Sequence, residues 1–229
     1  MKNDIKTIAF DADDTLWINE TYFREAEKQF CSLLENELPA HLVSEELFAT
    51  EMKNLPLYGY GVKGFVLSMI ETAGRIAGTN ASLGLVHKII TIGQELLQKP
   101  VELLEGVTET LEQLSGKYRL IVATKGDLLD QERKLQQSGV ESYFHHIEIM
   151  SDKKNSDYQK LLQQLDCRPE NFLMLGNSIK SDILPVLELG GFGAHIPYSI
   201  TWAHEQHEHE PEHRNFVALK QINEILNYL

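Results

Sequence analysis

The chain is poor in cysteine and in positive charge. Only two cysteines occur among its 229 residues, Cys31 and Cys167, and they lie far apart in the sequence. A disulfide framework is therefore not expected, and a reducing compartment fits better. The 21 Lys and Arg residues are outnumbered by 34 Asp and Glu residues, which gives a formal net charge of -13. Such a chain is a poor partner for a nucleic-acid backbone or an anionic membrane.

Long apolar runs are also missing. No apolar segment is long enough to span a bilayer, and no charged-then-apolar leader opens the sequence. Hydrophobic residues make up 42% and charged residues 24% of the chain, as in soluble globular proteins. We therefore expect a soluble cytoplasmic protein, built either as one large domain or as a core with a smaller domain.

Short apolar runs alternate with helical patterns over most of the chain. The runs that predict buried strands are Ile5–Phe10, Tyr118–Ala123, Ile147–Met150 and Phe172–Leu175, with a fifth at Gly193–Ile196. The helical patterns among them are Val107–Leu114, Leu128–Ser138, Ser156–Leu165 and Ile179–Leu189, and Val217–Tyr228 follows as a final amphipathic helix. Ser156 and Gln159 have the spacing of a capping box. This alternation predicts an α/β fold, a doubly wound parallel sheet with helices on both faces.

The region from Trp17 to Lys99 breaks this rhythm. It contains helical patterns and no clear strand; the patterns are Tyr22–Leu34, Ser44–Lys53, Val62–Ala77 and Gly84–Leu97. We predict an α/β core domain from residues 1–16 and 100–229, with an all-helical domain, 17–99, inserted after the first strand.

Polar residues of the kinds used in catalysis follow the first four predicted strands. Asp11 and Asp13 come directly after the first strand, where two carboxylates repel each other unless a cation or a bound reactant neutralises them. The other strands are followed by Thr124-Lys125-Gly126, by Ser151-Asp152-Lys153-Lys154, and by Gly176-Asn177-Ser178 with Asp182. In an open α/β sheet these strand ends form the site. A carboxylate nucleophile, a hydroxyl and a cation suit phosphoryl transfer.

These segments together resemble the four motifs of the haloacid dehalogenase-like superfamily, in its subgroup of phosphatases with a helical cap. The motifs, in order, are Asp-x-Asp-x-Thr at Asp11–Thr15, a strand-end Thr at Thr124, a Lys at Lys153 or Lys154, and Gly-Asp-Ser with a following acid at Gly176–Ser178 and Asp182. The resemblance covers nearly the whole chain. It implies the α/β core and the inserted helical cap.

The resemblance also implies a role for each motif residue. Asp11 would be the nucleophile that forms an aspartyl-phosphate, and Asp13 would act first as general acid and then as general base. Thr124 and the lysine would bind the phosphoryl group. The implied Mg²⁺ ligands are Asp11, the Asp13 carbonyl, Asn177 and Asp182. Lys125 is a further candidate for the phosphate pocket, although Lys125-Gly126-Asp127 equally fits a turn with Asp127 as N-cap.

Two positions depart from the family pattern. Asn177 stands where the family usually has Asp, so the metal site keeps an oxygen ligand but lacks its charge. The third motif offers two lysines and lacks the common Lys-Pro pair. We favour Lys153 over Lys154 because its spacing to Tyr158 on the following helix resembles that of relatives in this subgroup.

The predicted function is a Mg²⁺-dependent phosphatase acting on a small phosphorylated metabolite. Asp13 argues against a dehalogenase, which needs no acid for a departing halide, and against a phosphonatase, which has a small residue there. Two alternatives stay open. One is a phosphomutase, and the other is a protein that binds phosphate with little turnover, which Asn177 favours.

Three further features have competing interpretations. Lys63, in the glycine-rich stretch 58–65, would reach an anionic leaving group or point into water. Trp17 is interpreted as a packing residue. The His204–His213 tract would bind a transition metal or form a solvated loop of alternating His and Glu, and we favour the loop.

Overall fold

The computed structural model describes residues 5–207 and 209–229. The chain divides into two compact units, described separately below. An α/β unit contains the chain up to Glu20 together with Val101–Lys125 and Gln131–Leu229. A helical unit contains Thr21–Pro100 and the short segment Gly126–Asp130.

The strands of the described residues form one parallel sheet in the α/β unit. In chain order they are β1 Thr7–Phe10, β2 Arg119–Lys125, β3 His146–Met150, β4 Phe172–Gly176, β5 Phe192–His195 and β6 Phe216–Ala218. Their order across the sheet is β3-β2-β1-β4-β5-β6. Phe10, at the end of β1, pairs with Val122 of β2 and Leu175 of β4. The segments that follow these three strands therefore leave the sheet side by side.

The helical unit is built from four helices. They are α1 Glu20–Leu33, α2 Ala40–Tyr58, α3 Val62–Ala77 and α4 Leu83–Leu97. Each contributes to one apolar core, which includes Phe30, Leu47, Met69 and Ile89. Within the described part of the chain, no helix has the length and apolar character needed to cross a membrane.

Four more helices cover the two faces of the sheet. They are α5 Val107–Leu114, α6 Leu128–Ser138, α7 Asn155–Gln164 and α8 Leu184–Glu188. Ile8 and Phe10 of β1 pack in one core with Leu111 of α5, whereas Ala9 packs in a second core with Leu161 of α7. Successive strand residues thus face opposite sides, as the pleat requires. The predicted doubly wound α/β fold is confirmed.

The chain end differs from its predicted structure. The helix predicted over Val217–Tyr228 is wrong, because Phe216–Ala218 forms the edge strand β6 and a 3₁₀ helix follows at Ile222–Asn227. Leu219, Ile222 and Ile225 are all buried in the core. Their spacing of three residues suits a 3₁₀ helix, where side chains three apart align, better than an α-helix.

The predicted helix over Ile179–Leu189 is also interrupted. The chain forms a π-helical turn at Ile179–Ile183 before α8 begins at Leu184. Pro185 has no N–H to donate to the Ser181 carbonyl, which a continuous α-helix would require. The Tyr158 hydroxyl donates to that carbonyl instead, at 3.1 Å.

The start of α7 corrects a further detail. The helix begins at Asn155, and the Asp157 carboxylate accepts a hydrogen bond from the Lys154 N–H at 3.2 Å. The predicted capping box of Ser156 and Gln159 is therefore wrong. The helix starts earlier than the sequence pattern indicated. The side chain that accepts from the N–H of the first cap residue is therefore Asp157 rather than Gln159.

We expect Tyr158→Phe to lower the free energy of unfolding by about 1–2 kcal/mol, since it leaves the buried Ser181 carbonyl without its donor. Urea unfolding of both proteins measures the difference. Tyr228→Phe, at a position 40% exposed, is the matched control and should change little. Equal stability of Tyr158→Phe and the wild type would contradict the role given to this hydrogen bond.

Candidate active site

The candidate site lies where the central strands β1, β2 and β4 end. The Asp11 N–H continues the ladder by donating to the Leu175 carbonyl at 2.8 Å. The chain leaves β1 at Asp11 and β4 at Asn177, and Thr124 is the second-last residue of β2. The topology therefore brings together residues that are far apart in sequence, at the edge where α/β sheets bind ligands.

A buried lysine joins two carboxylates at this edge. Lys153 Nζ lies 2.5 Å from Asp11 Oδ1 and 2.6 Å from Asp182 Oδ1, and its side chain is 1% exposed. Burial raises the pKa of Asp11 to about 7, with Lys153 opposing and Asp182 reinforcing that rise. Burial alone would lower the pKa of Lys153, but Asp11 and Asp182 raise it above its ordinary value. Lys153 therefore stays protonated in this position.

The two candidate lysines of the third motif have different surroundings. Lys154 points outward, with its side chain 74% exposed, and pairs with Asp152 at 2.8 Å. Lys153 alone of the two contacts Asp11. The geometry therefore places Lys153, the lysine favoured by its spacing to Tyr158, against the predicted nucleophile.

Asp182 is held on both of its oxygens. Its Oδ1 accepts from Lys153, and its Oδ2 accepts from the Ser178 N–H at 3.0 Å. A Cβ on residue 176 would lie 2.2 Å from Oδ2, so only glycine leaves room for this carboxylate. Asp182 reaches this place because it lies in the π-helical turn.

A second group of oxygens lies beside the nucleophile. The Thr15 hydroxyl is 3.4 Å from Asp11 Oδ2 and 3.4 Å from Asn177 Oδ1. A carboxylate and an amide carbonyl near one hydroxyl supply the hard oxygen ligands that Mg²⁺ prefers. The residues present therefore fit a magnesium ion.

Asp13 is surrounded by three nitrogen donors. Its Oδ1 accepts from Trp17 Nε1 at 2.8 Å and from Lys134 Nζ at 2.7 Å. Its Oδ2 accepts from Gln131 Nε2 at 2.7 Å. Sequence reasoning missed Gln131 and Lys134, whose only signal is their spacing of three on the helix after β2. Trp17 packs as expected, since it is 1% exposed, but it also binds Asp13.

Asp14 has a structural role in the same loop. It adopts a left-handed backbone with φ of 60°, which Asp tolerates better than most residues. Its carboxylate accepts from the N–H groups of Asn19 at 2.8 Å and Glu20 at 3.0 Å. Burial raises the pKa of Asp14 to about 8, although these two hydrogen bonds oppose the rise.

Thr124 and Lys125 end β2 in different settings. Thr124 is 2% exposed, and its hydroxyl donates to the Lys125 carbonyl at 3.3 Å. Lys125 Nζ lies 2.6 Å from Glu205 Oε1 and 2.9 Å from the Ser181 hydroxyl. Lys125, a candidate for the phosphate pocket, is thus paired with a carboxylate.

Glu205 was not singled out by the sequence, because it lies inside the tract of alternating His and Glu. Its Oε2 accepts from the hydroxyls of Ser178 and Ser181. Burial would raise the pKa of Glu205, but Lys125 and the two serines lower it to about 2. This carboxylate fixes the loop after β5 to the start of the fourth motif.

The remaining candidates are Lys63 and the His204–His213 tract. Within the helical unit, Lys63 Nζ pairs with Asp127 Oδ2 at 2.8 Å. Of the His204–His213 tract, Glu208 lies outside the described residues, and the His204 ring contacts the Trp202 ring at 5.0 Å between centroids. In residues 5–207 and 209–229 no group of three His, Cys, Asp or Glu side chains is placed to hold a metal ion. The candidate magnesium ligands instead include the side-chain amide of Asn177 and the backbone carbonyl of Asp13.

Comparison with known proteins places this geometry in a family. Residues 5–190 match the family model of haloacid dehalogenase-like hydrolases. A haloacid dehalogenase-like family hydrolase from Xanthomonas campestris is 36% identical, with a TM-score of 0.87 over 96% of this chain and 88% of that chain. A predicted phosphoglycolate phosphatase from Haemophilus somnus is 18% identical, with a TM-score of 0.66 over 100% of this chain and 99% of that chain, and shares the fold.

A curated relative is more distant in sequence. The glyceraldehyde 3-phosphate phosphatase of Methanothermobacter thermautotrophicus is 25% identical over 213 residues, which are 89% of this chain and 90% of that protein. The family match covers well over half of the chain. The chain therefore belongs to the haloacid dehalogenase-like hydrolases, as its motifs indicated, and it is an enzyme of the hydrolase class.

We expect Glu205→Gln to destabilise the protein at pH 7 by about 2–3 kcal/mol, since it leaves Lys125 without its counter-charge. The folded pKa lies below the ordinary value of 4.5, so the contribution is complete above that pH. It is lost as the pH falls towards about 2. Urea unfolding between pH 7 and pH 3 should show the difference from wild type shrinking below pH 4.5.

Glu132→Gln removes the same charge from an exposed position and serves as the control. A difference between wild type and Glu205→Gln that does not change with pH would show that the carboxylate charge is not what stabilises this loop.

Proposed function

We propose that the protein is a Mg²⁺-dependent phosphatase that hydrolyses a small phosphorylated metabolite through an aspartyl-phosphate on Asp11. The observation that carries the proposal is the contact of Asp11 with the buried ammonium of Lys153, with Asp13 two residues away. A carboxylate beside a fixed cation can approach a phosphoryl group whose charge that cation stabilises.

The proposed reaction has two steps. An Asp11 carboxylate oxygen forms a bond to phosphorus while the bond to the leaving oxygen breaks, and Asp13 gives that oxygen its proton. Water then attacks the aspartyl-phosphate, Asp13 takes a proton from the water, and phosphate leaves with Asp11 restored. One carboxylate serves both proton transfers. Thr124 and Lys153 would bind the phosphoryl oxygens. Lys125 stays a candidate for the phosphate pocket, although Glu205 balances its charge.

Asp11, the Asp13 backbone carbonyl and Asn177 would hold the magnesium ion. The bound ion would offset the repulsion between the Asp11 carboxylate and the phosphoryl oxygens. Asp182 was also predicted as a ligand. Because its oxygens accept from Lys153 and Ser178, we propose that its main task is to orient Lys153.

Two observations support a small phosphorylated metabolite as the substrate. The relative from Methanothermobacter thermautotrophicus is named a glyceraldehyde 3-phosphate phosphatase, which makes glyceraldehyde 3-phosphate a first substrate to test. The formal charge of -13 disfavours nucleic acid as substrate. Lys63 stays a candidate for contact with the leaving group, and Thr21–Pro100 would be the cap that carries it.

We expect purified protein to hydrolyse p-nitrophenyl phosphate with Mg²⁺, and Asp11→Asn to lower kcat by at least about 10³-fold, because the nucleophile is removed. Chelation of the metal should abolish turnover, and added Mg²⁺ should restore it. Asp166→Asn, on an exposed turn, is the control and should stay active. Full activity of Asp11→Asn would refute the proposed function.

We expect Asn177→Asp to lower the Mg²⁺ concentration for half-maximal activity by about tenfold, since a charged ligand binds the cation more tightly than an amide. Titration of activity with Mg²⁺ measures this. Asn227→Asp adds the same charge at an exposed position and should leave the titration unchanged.

The Asn177→Asp variant also distinguishes the proposed phosphatase from the alternative that Asn177 favours, a protein that binds phosphate with little turnover. A wild type that binds phosphate without turnover, together with an active Asn177→Asp, would support that alternative over the phosphatase.

A further inference from the structure

We propose that Gln131 and Lys134, together with Trp17, are positioning residues that hold the Asp13 carboxylate where it transfers protons. These three residues are called the Asp13 donor cluster below. The inference rests on the proposed function, because it assigns a task to Asp13 in that reaction. It extends the site to α6, a helix that contributes none of the motif residues.

The donor cluster fixes Asp13 from two parts of the chain. Trp17 follows β1, while Gln131 and Lys134 lie on one face of α6. The three distances from their nitrogens to the Asp13 oxygens are 2.8, 2.7 and 2.7 Å. All three groups donate through the nitrogens involved, and the two oxygens of the Asp13 carboxylate accept from all of them. This restrains the side chain about its rotatable bonds.

Gln131 is oriented without ambiguity. Its Nε2 donates both to Asp13 Oδ2 at 2.7 Å and to the Lys125 carbonyl at 2.8 Å. Reversing the amide would place an oxygen against two acceptors. The side chain is 4% exposed, and across residues 5–207 and 209–229 its Oε1 meets no hydrogen-bond donor.

An unsatisfied buried oxygen has a cost in stability, of about 1–3 kcal/mol. An apolar side chain of similar size would avoid it at this position. The glutamine is therefore explained by what its nitrogen does, which is to donate to Asp13 and to the Lys125 carbonyl, rather than by packing.

Lys134 is held as firmly as Asp13. Its Nζ also donates to Asn19 Oδ1 at 3.0 Å, and its side chain is 16% exposed. The ammonium therefore has two fixed acceptors and little freedom to follow a displaced carboxylate. Removing Lys134 would free Asp13 Oδ1 from its charged partner while Trp17 remains in place.

Holding Asp13 matters most for substrates with poor leaving groups. A proton-transfer group must lie within about 3 Å of its target, and a displacement of about 1 Å can cost about 100-fold in rate. A nitrophenolate leaves readily without a proton, whereas a phenolate without the nitro group depends more on the acid. Loss of positioning should therefore affect the two substrates unequally.

The test compares kcat and KM for p-nitrophenyl phosphate and phenyl phosphate in Gln131→Met and Lys134→Met. We expect kcat for phenyl phosphate to fall about 10- to 100-fold, and kcat for p-nitrophenyl phosphate to fall less than about threefold, with KM little changed. Gln136→Met, on the exposed face of α6, is the matched control and should behave as wild type. Thermal unfolding verifies that each variant is folded.

A double-mutant cycle with Asp13→Asn separates positioning from general damage. If the donor cluster acts through Asp13, adding Lys134→Met to Asp13→Asn should cause no further loss with phenyl phosphate. Independent, multiplicative losses would overturn the inference, as would equal losses with both substrates in the single variants. A wild type that hydrolyses neither substrate would instead overturn the proposed function, and the inference with it.

Discussion

The bridge from Lys153 to Asp11 and Asp182 is the interaction on which the rest of the site depends. Two carboxylates buried this deeply would repel each other and resist ionisation without a cation between them. The lysine lies there because the segment after β3, a strand that pairs with β2, carries it to the carboxyl ends of the strands, where its side chain is 1% exposed. The contact between Lys153 and Asp11 also orients the Asp11 carboxylate, because one of its oxygens faces the lysine and the other faces Thr15.

The backbone around the fourth motif is shaped to support this bridge. Asp182 reaches Lys153 from a π-helical turn, and the turn ends where Pro185 prevents a regular helix from continuing. Gly176 leaves the space that the Asp182 carboxylate fills. Tyr158 bonds the carbonyl that the proline leaves unpaired. The π-helical turn thus holds one charged side chain, that of Asp182, in place against Lys153.

The sequence predicted the parts of the site that lie at strand ends, because apolar runs mark strands and the residues after them must meet at one edge. Asp11, Thr124, Lys153 and Asn177 belong to this class. Glu205, Gln131 and Lys134 could not be predicted in this way. Glu205 lies in a loop of polar residues, and the other two lie on a helix whose rotation about its axis is decided by packing. The edge strand β6 was missed because three apolar residues also fit a helical pattern.

The charges of the site bear on the proposed metal site at Asn177. Lys134 faces Asp13 and Lys125 faces Glu205, so each of these pairs is formally neutral. Lys153 contributes one positive charge against Asp11 and Asp182, which leaves one negative charge at the nucleophile. A divalent cation placed there would turn this into one positive charge, enough to attract a phosphoryl dianion. With an aspartate at position 177 the same sum would be zero, so in the proposed reaction the amide would give the site more net attraction for phosphate, at the expense of weaker metal binding.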